Sequence, residues 1–289
     1  MKGKSAVKPR KAYAKINLTF EVLGQREDGY HEIASVMQAI DLADVLTFEP
    51  HEHIFITCNV PELASPTNLV FRAARLMQAV AGSDHGVAIC LEKSIPLAGG
   101  LGGGSSDAAA TLQGLNEIWG LKLAPEKLQG IAAGLGSDVS FFVSGGTTAL
   151  VRGRGDRVVT LPSLSKTWVV LIRPPVNVSG KTQKMYARLD PSLFTRGQHT
   201  RRMAKLIEEG ERGRAVTRVC YNVFDHVAPS FFPGLDGYWQ RFLAAGASEV
   251  HVAGAGPVLF TLVNDRAEGE EICKRLKKER VEAYLAGTL

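Results

Sequence analysis

The stretch Pro96-Leu97-Ala98-Gly99-Gly100-Leu101-Gly102-Gly103-Gly104-Ser105-Ser106-Asp107 limits this chain more than any other. Five of the six residues from Gly99 to Gly104 are glycine. Before it, Val87, Ile89 and Leu91 alternate as in a half-buried strand. After it, Ala108, Leu112, Leu115 and Trp119 recur at helical spacing, with Ser105 or Ser106 expected as the N-cap. A glycine loop between strand and helix brings the backbone close to an anion and turns its N–H groups inward. The helix that follows adds unpaired N–H groups and the positive end of its dipole. A nucleoside triphosphate is the expected ligand.

Spacing removes two better-known glycine loops. A phosphate loop of the Walker type needs Lys-Ser or Lys-Thr after its last glycine, and here Ser105-Ser106-Asp107 follows. Gly180-Lys181-Thr182 looks like such an ending, but Pro175 stands where the required earlier glycine belongs. A dinucleotide fold would continue into a strand carrying an acidic residue, whereas this helix runs into Trp119-Gly120 and a second helix.

Composition narrows the partners. A chain of 289 residues, 45% hydrophobic and 22% charged, is an ordinary globular protein large enough for two domains. Leu161-Pro162-Ser163 is the expected boundary, giving domains 1–162 and 163–289. Apolar runs such as Trp168 to Ile172 are far too short to cross a bilayer, so no membrane partner is expected. Lys2, Lys4, Lys8, Arg10 and Lys11 near the N-terminus accompany no apolar segment and do not read as a secretory signal. Cys58, Cys90, Cys220 and Cys273 are scattered, which predicts reduced thiols and a cytoplasmic location. The net charge of +5 lacks an aromatic-basic stripe, so it points to small polyanionic substrates and not to nucleic acid. His51 and His53 share a strand face but have no third ligand nearby, so no metal site is expected there.

Along the chain, Ala14, Ile16, Leu18, Phe20 and Val22 form the apolar face of a strand. Lys15, Asn17, Thr19 and Glu21 form its other face, expected to point away from the core into solvent. Asp28-Gly29 predicts a turn that presents Tyr30 and His31, an aromatic and an imidazole suited to a flat base. Met37–Leu42 and Val45–Phe48 read as two short strands. Pro66-Thr67-Asn68 opens an amphipathic helix with Leu69, Val70, Ala73, Leu76, Met77 and Val80 apolar, ending at Gly82. Pro125 starts another helix, and Gly136-Ser137-Asp138-Val139 follows, where Asp138 reads either as a helix cap or as a functional acid. In the second half, a strand at Trp168–Ile172, charged helices around 199–218, Ala253–Pro257 between strands and a final helix at 267–278 are expected.

These pieces resemble a known family. Ala14-Lys15-Ile16-Asn17-Leu18, then Asp28-Gly29-Tyr30-His31, the glycine stretch, Gly136-Ser137-Asp138-Val139 and the late Gly254-Ala255-Gly256 follow the order of the 4-diphosphocytidyl-2-C-methyl-D-erythritol kinases. The glycine stretch alone is similar to the wider GHMP kinases; Gly29-Tyr30-His31 and the triple glycine before Ser105-Ser106 narrow it. The resemblance implies a two-domain α+β kinase that phosphorylates the 2-hydroxyl of a cytidine-diphosphate-linked methylerythritol. ATP would be the donor and Mg²⁺ the cofactor, in the non-mevalonate route to isoprenoids. By position, Asp138 corresponds to the catalytic base and Lys15 to its charge-stabilising partner. Asn17, Tyr30 and His31 correspond to substrate contacts, Asn68 to a contact with adenine, and Pro96 to Ser106 to the wrapping of the triphosphate. Ser105 or Ser106 is the serine expected to touch Mg²⁺. Ser140 replaces the family's usual proline, Ala255 a common serine, and Val178 to Tyr186 is spaced differently. A homoserine or mevalonate type of GHMP kinase would share the loop but not Gly29-Tyr30-His31. A ligand sensor on the same fold would be expected to lack Lys15 and Asp138.

Overall fold

A computed structural model describes residues 9–211 and 214–289; the basic Lys2, Lys4 and Lys8 lie outside them. The chain is α+β and forms two compact units. The first takes the chain up to Ala14, Leu42–Ile95 and Gly102–Gly145; the second takes Lys15–Asp41, Pro96–Leu101 and Gly146–Leu289. Two long strands, β1 (Arg10–Gln25) and β2 (His31–His51), contribute residues to both. Met37–Leu42 and Val45–Phe48 are therefore one continuous strand and not two. Ala43-Asp44, the gap between the two expected strands, stays extended, and Asp44 is fully buried.

In the first unit, residues 45–51 of β2 run antiparallel to β4 (Gly86–Glu92), which runs parallel to β3 (Ile54–Cys58). Helices α1 (Leu69–Ala81), α2 (Gly103–Ile118), α3 (Pro125–Ala133) and α4 (Ser137–Val143) complete it. Asn68 caps α1 by accepting from the Val70 N–H, and Gly82 ends it in the left-handed conformation. Val70, Ala73, Ala74 and Met77 face the core, while Leu76 and Val80 are exposed, so the buried stripe is narrower than the sequence suggested. Along α2, Ser106, Asp107 and Ala108 to Leu112 are all buried. Small residues let a helix be enclosed on every side, and a Cβ on Gly114 would press on the Phe48 ring at 3.0 Å.

The second unit begins with the remainder of β1 and β2, joined by the expected turn. The Arg26 N–H donates to the Tyr30 carbonyl at 2.8 Å, and Asp28 accepts from the Tyr30 N–H at 3.1 Å. Residues 33–38 of β2 pair antiparallel with β5 (Thr148–Gly153), which pairs with β6 (Arg157–Thr160). The chain continues through β7 (Trp168–Ile172), α5 (Lys181–Tyr186), α6 (Gln198–Glu208), α7 (Arg214–Thr217) and β8 (Tyr221–Asn222). Short α8 (Ala228–Phe231), α9 (Leu235–Ala244), β9 (His251–Val252), β10 (Leu259–Val263), α10 (Arg266–Lys278) and β11 (Ala283–Gly287) close it. A four-stranded sheet ordered β11-β7-β10-β9 packs on a core that includes Phe224, Phe232, Phe242 and Ile272.

The polar face of β1 overturns its expected exposure. Lys15, Asn17, Thr19 and Glu21 are each no more than 3% exposed. Burial of such groups is tolerated only when they are paired, and here they are. Glu21 accepts from the Thr200 N–H at 2.7 Å, the His199 N–H at 3.3 Å and the Thr195 hydroxyl at 2.7 Å, at the first turn of α6. Thr19 meets the Thr200 hydroxyl at 3.0 Å.

Candidate active site

Two sets of contacts shape the glycine stretch, one in each unit. In the second unit, residues 96–101 lie against the late glycine segment. A Cβ on Gly100, whose φ is +89°, would fall 1.8 Å from the Ala253 carbonyl oxygen. One on Gly256 would fall 2.1 Å from the Gly99 carbonyl oxygen. Only glycine allows two backbones to approach so closely. The Val258 N–H donates to Gly99 at 3.3 Å, and the Lys15 N–H donates to Leu101 at 2.9 Å. Ala98 is held at a φ of +54°, an uncommon conformation for a residue with a Cβ.

In the first unit the stretch passes through Gly102, in the left-handed conformation, and α2 starts at Gly103. Gly102 therefore occupies the capping position expected of Ser105 or Ser106, and both serines lie inside the first turn. Beneath this turn sits a buried cluster. Lys93 bridges the carboxylates of Asp44 and Asp107, the latter at 2.6 Å, and all three side chains are at most 5% exposed. Asp44 also accepts from the Ser94 and Ile95 N–H groups at 2.6 and 2.8 Å, fixing the backbone just before Pro96. A Cβ on Gly103 would lie 3.2 Å from Lys93 Nζ and 3.4 Å from Asp44 Oδ2. Burial, with the like charge of Asp44 added, pushes the Asp107 carboxyl up to about 7 against the pull of Lys93. Burial alone would lower Lys93, but Asp107 and Asp44 outweigh it and hold its pKa above the usual lysine value. Asp107 Oδ1 is buried and has no hydrogen-bond partner among the described residues.

The remaining site residues are placed as follows. Lys15 Nζ donates to Asn17 Oδ1 at 2.8 Å, and Asn17 Nδ2 donates to the Ser35 hydroxyl at 2.8 Å, which fixes both rotamers. A Cβ on Gly254 would stand 3.4 Å from each of Lys15 Nζ and Asn17 Oδ1, so the late glycines border this pair. Asp138 lies in the first turn of α4, after the capping position at Gly136, and is half-buried. It is thus not the cap of that helix. Asn68 spends its carbonyl on the Val70 N–H at 2.9 Å and its amide on the Leu63 carbonyl at 2.8 Å. Its neighbour Leu69 reaches the vicinity of Gly104.

At the hairpin tip Tyr30 is 58% exposed, with the Arg154 guanidinium 4.8 Å from its ring centroid. His31 stacks on Tyr186 with ring centroids 4.8 Å apart and meets Phe194 edge-on at 6.0 Å. Burial lowers the His31 pKa, which favours the neutral imidazole that donates from one nitrogen and accepts at the other. Among the described residues no group of three or more His, Cys, Asp and Glu side chains could hold a metal ion, and His51 and His53 gain no third ligand. The four cysteines are unpaired.

The sequence profile of the GHMP kinases N terminal domain matches residues 68–146, and that of the GHMP kinases C terminal domain matches residues 199–282. The 4-diphosphocytidyl-2-C-methyl-D-erythritol kinase of Dehalococcoides mccartyi is 42% identical over 279 residues, covering 96% of this chain and 97% of its own. The kinase of the same name from Moorella thermoacetica is 40% identical, covering 96% and 98%. The chain belongs to this kinase family. A crystal structure of a 4-(cytidine 5'-diphospho)-2C-methyl-D-erythritol kinase superposes with a TM-score of 0.82 at 32% identity, covering 97% of this chain and 99% of that one. A homoserine kinase from Cytophaga hutchinsonii, at 18% identity and a TM-score of 0.72, shares the fold.

Three residues of this GHMP kinase at the loop and tip escaped the sequence reading. Arg154 lay in a basic turn with no sign that it would reach Tyr30. Tyr186 and Lys181 lay in the segment whose spacing departs from the family pattern. Tyr186 stacks on His31, and Lys181 donates from Nζ to the Ala98 carbonyl.

Proposed function

We propose that this enzyme transfers the γ-phosphoryl group of ATP to the 2-hydroxyl of 4-diphosphocytidyl-2-C-methyl-D-erythritol, releasing ADP, in non-mevalonate isoprenoid synthesis in the cytoplasm. The observation that carries this reading is likeness to kinases of that name along nearly the whole chain. The chemistry of the tip supports it. Tyr30 offers an exposed ring to a base, and neutral His31 offers the paired donor and acceptor that distinguish cytosine from uracil.

Phosphoryl transfer needs alignment, charge neutralisation and one group to take the hydroxyl proton. In this reading Asp138 takes that proton, and the Lys15 ammonium offsets charge on the transferred group. Asn17, fixed between Lys15 and Ser35, orients the acceptor. Pro96–Ser106 wrap the phosphates, with the backbone N–H groups that are not already bonded within the chain facing them, and Asn68 contacts adenine. Mg²⁺ neutralises phosphate charge when bound. It suits a donor set of serine hydroxyls, phosphate oxygens and water, with Ser105 and Ser106 the residues that would hold it.

Incubation with ATP, Mg²⁺ and a panel of alcohols tests the assignment. ADP should form with the cytidine-linked acceptor and far less with its uridine analogue; ADP formed only with homoserine or mevalonate would overturn it. Asp138→Asn should keep the fold and nucleotide affinity while lowering kcat about 10²–10⁴-fold.

A further inference from the structure

Gly180-Lys181-Thr182 was set aside by spacing as a phosphate loop, and its segment departs from the family pattern. In the second unit it nevertheless reaches the glycine stretch. Gly180 turns the chain in the left-handed conformation into α5, and Met185, fully buried, anchors that helix. Lys181 donates to the carbonyl of Ala98, the loop residue held at positive φ. Lys181 is half-buried, and among the described residues no carboxylate pairs with it. Burial first, and the like charge of Lys15 second, lower its pKa to about 8.

A partly desolvated ammonium resting on a neutral carbonyl gains when an anion joins it. A lysine has three donors, and the Ala98 carbonyl engages one of them. The remaining donors are available to phosphate oxygens close to residues 96–101.

We propose that Lys181 is a phosphate-binding residue of this site, taking an oxygen of the ATP triphosphate alongside residues Pro96–Leu101. The assignment rests on the kinase reading above. Lys181 adds a cation that the family resemblance did not supply. In the free protein the Ala98 carbonyl holds the side chain in place, and bound phosphate replaces that carbonyl or joins it.

Lys181→Met and Lys181→Arg in the full-length protein test this through KM for Mg-ATP, KM for the acceptor, and the melting temperature without ligand. Lys181→Met should raise KM for Mg-ATP roughly 10–100-fold, the loss expected for a hydrogen bond to a charged group. Acceptor KM should change little, and Lys181→Arg should recover most of the loss. The unliganded methionine variant should melt at the same temperature or higher, because a crowded, desolvated charge is gone. A rise confined to acceptor KM overturns the assignment to the ATP triphosphate and makes the acceptor's diphosphate the anion that Lys181 meets. Unchanged KM for both substrates, with a lowered melting temperature, overturns the proposal and makes Lys181 a structural prop. Calorimetric binding of inorganic tripolyphosphate, weaker in the methionine variant than in the wild type, reads the site without turnover. It therefore separates failure of this proposal from failure of the kinase reading.

Discussion

The two ends of the glycine stretch are fixed by different physics. Residues 96–101 are held by shape: Gly99 and Gly100 lie against Ala253 to Gly256 so closely that no side chain fits between them. The other end, where α2 begins, is held by charge: Asp44 grips the backbone of Ser94 and Ile95, and Lys93 ties it to Asp107 in α2. A steric interlock is indifferent to pH and salt but intolerant of one methyl group. A buried ion cluster tolerates small changes of volume but responds to any change of protonation. If the loop cradles the triphosphate as proposed, being held in both ways lessens the ordering cost of binding.

Breaking the charge clamp should have the largest effect. Lys93→Met leaves two buried carboxylates facing one another and should cost about 3–5 kcal/mol, measured by denaturant unfolding. If its midpoint matches the wild type, the cluster is not what holds this end. Breaking the steric interlock comes next. Gly256→Ala places a methyl group against the Gly99 carbonyl and should cost about 3 kcal/mol, with KM for ATP raised as the loop shifts. A variant with wild-type melting and KM would show that the two segments can separate freely.

The two ends also differ in their response to pH. Asp107 has a folded-state pKa of about 7, above its ordinary value of 3.8, so the folded protein keeps a proton there that the unfolded chain has released. Its contribution to stability is complete below about pH 4 and is lost as pH rises through 7, by at most about 1.4 kcal/mol per pH unit. Asp107→Asn should remove that slope, so the variant gains on the wild type between pH 5 and 8. Parallel stability curves across that range would place the pH sensitivity elsewhere. Gly256→Ala, by contrast, should keep the wild-type slope.

Features with local causes were legible in the sequence. The strand–loop–helix order came from glycine spacing flanked by two periodicities, and the Tyr30-His31 tip came from Asp28-Gly29. The α1 cap was readable because Asn68 bonds only two residues ahead. What escaped depends on distant partners. The polar face of β1 looks solvated until α6, nearly 180 residues later, brings Thr200 onto Glu21 and Thr19. Asp44 fell in the gap between two expected strands, and Lys93, the buried partner that lets it stay in β2, lies on the far side of α1 in the sequence. The expected serine cap of α2 failed because a left-handed glycine turned the chain without any side chain. Whether the residues of the site act as assigned was not legible at all from spacing; that rests on family likeness.

The enclosure of the polar face of β1 bears on the entropy of catalysis. Lysine is among the side chains with the most rotamer freedom to lose, up to about 2 kcal/mol when fully ordered. Lys15 has surrendered that freedom at folding, through burial and its bond to Asn17, which Ser35 fixes in turn. If Lys15 acts as proposed, its ammonium does not have to be searched for or immobilised when substrate arrives. The ordering is charged to the stability of the fold, and little of it falls on the encounter with ATP or its acceptor.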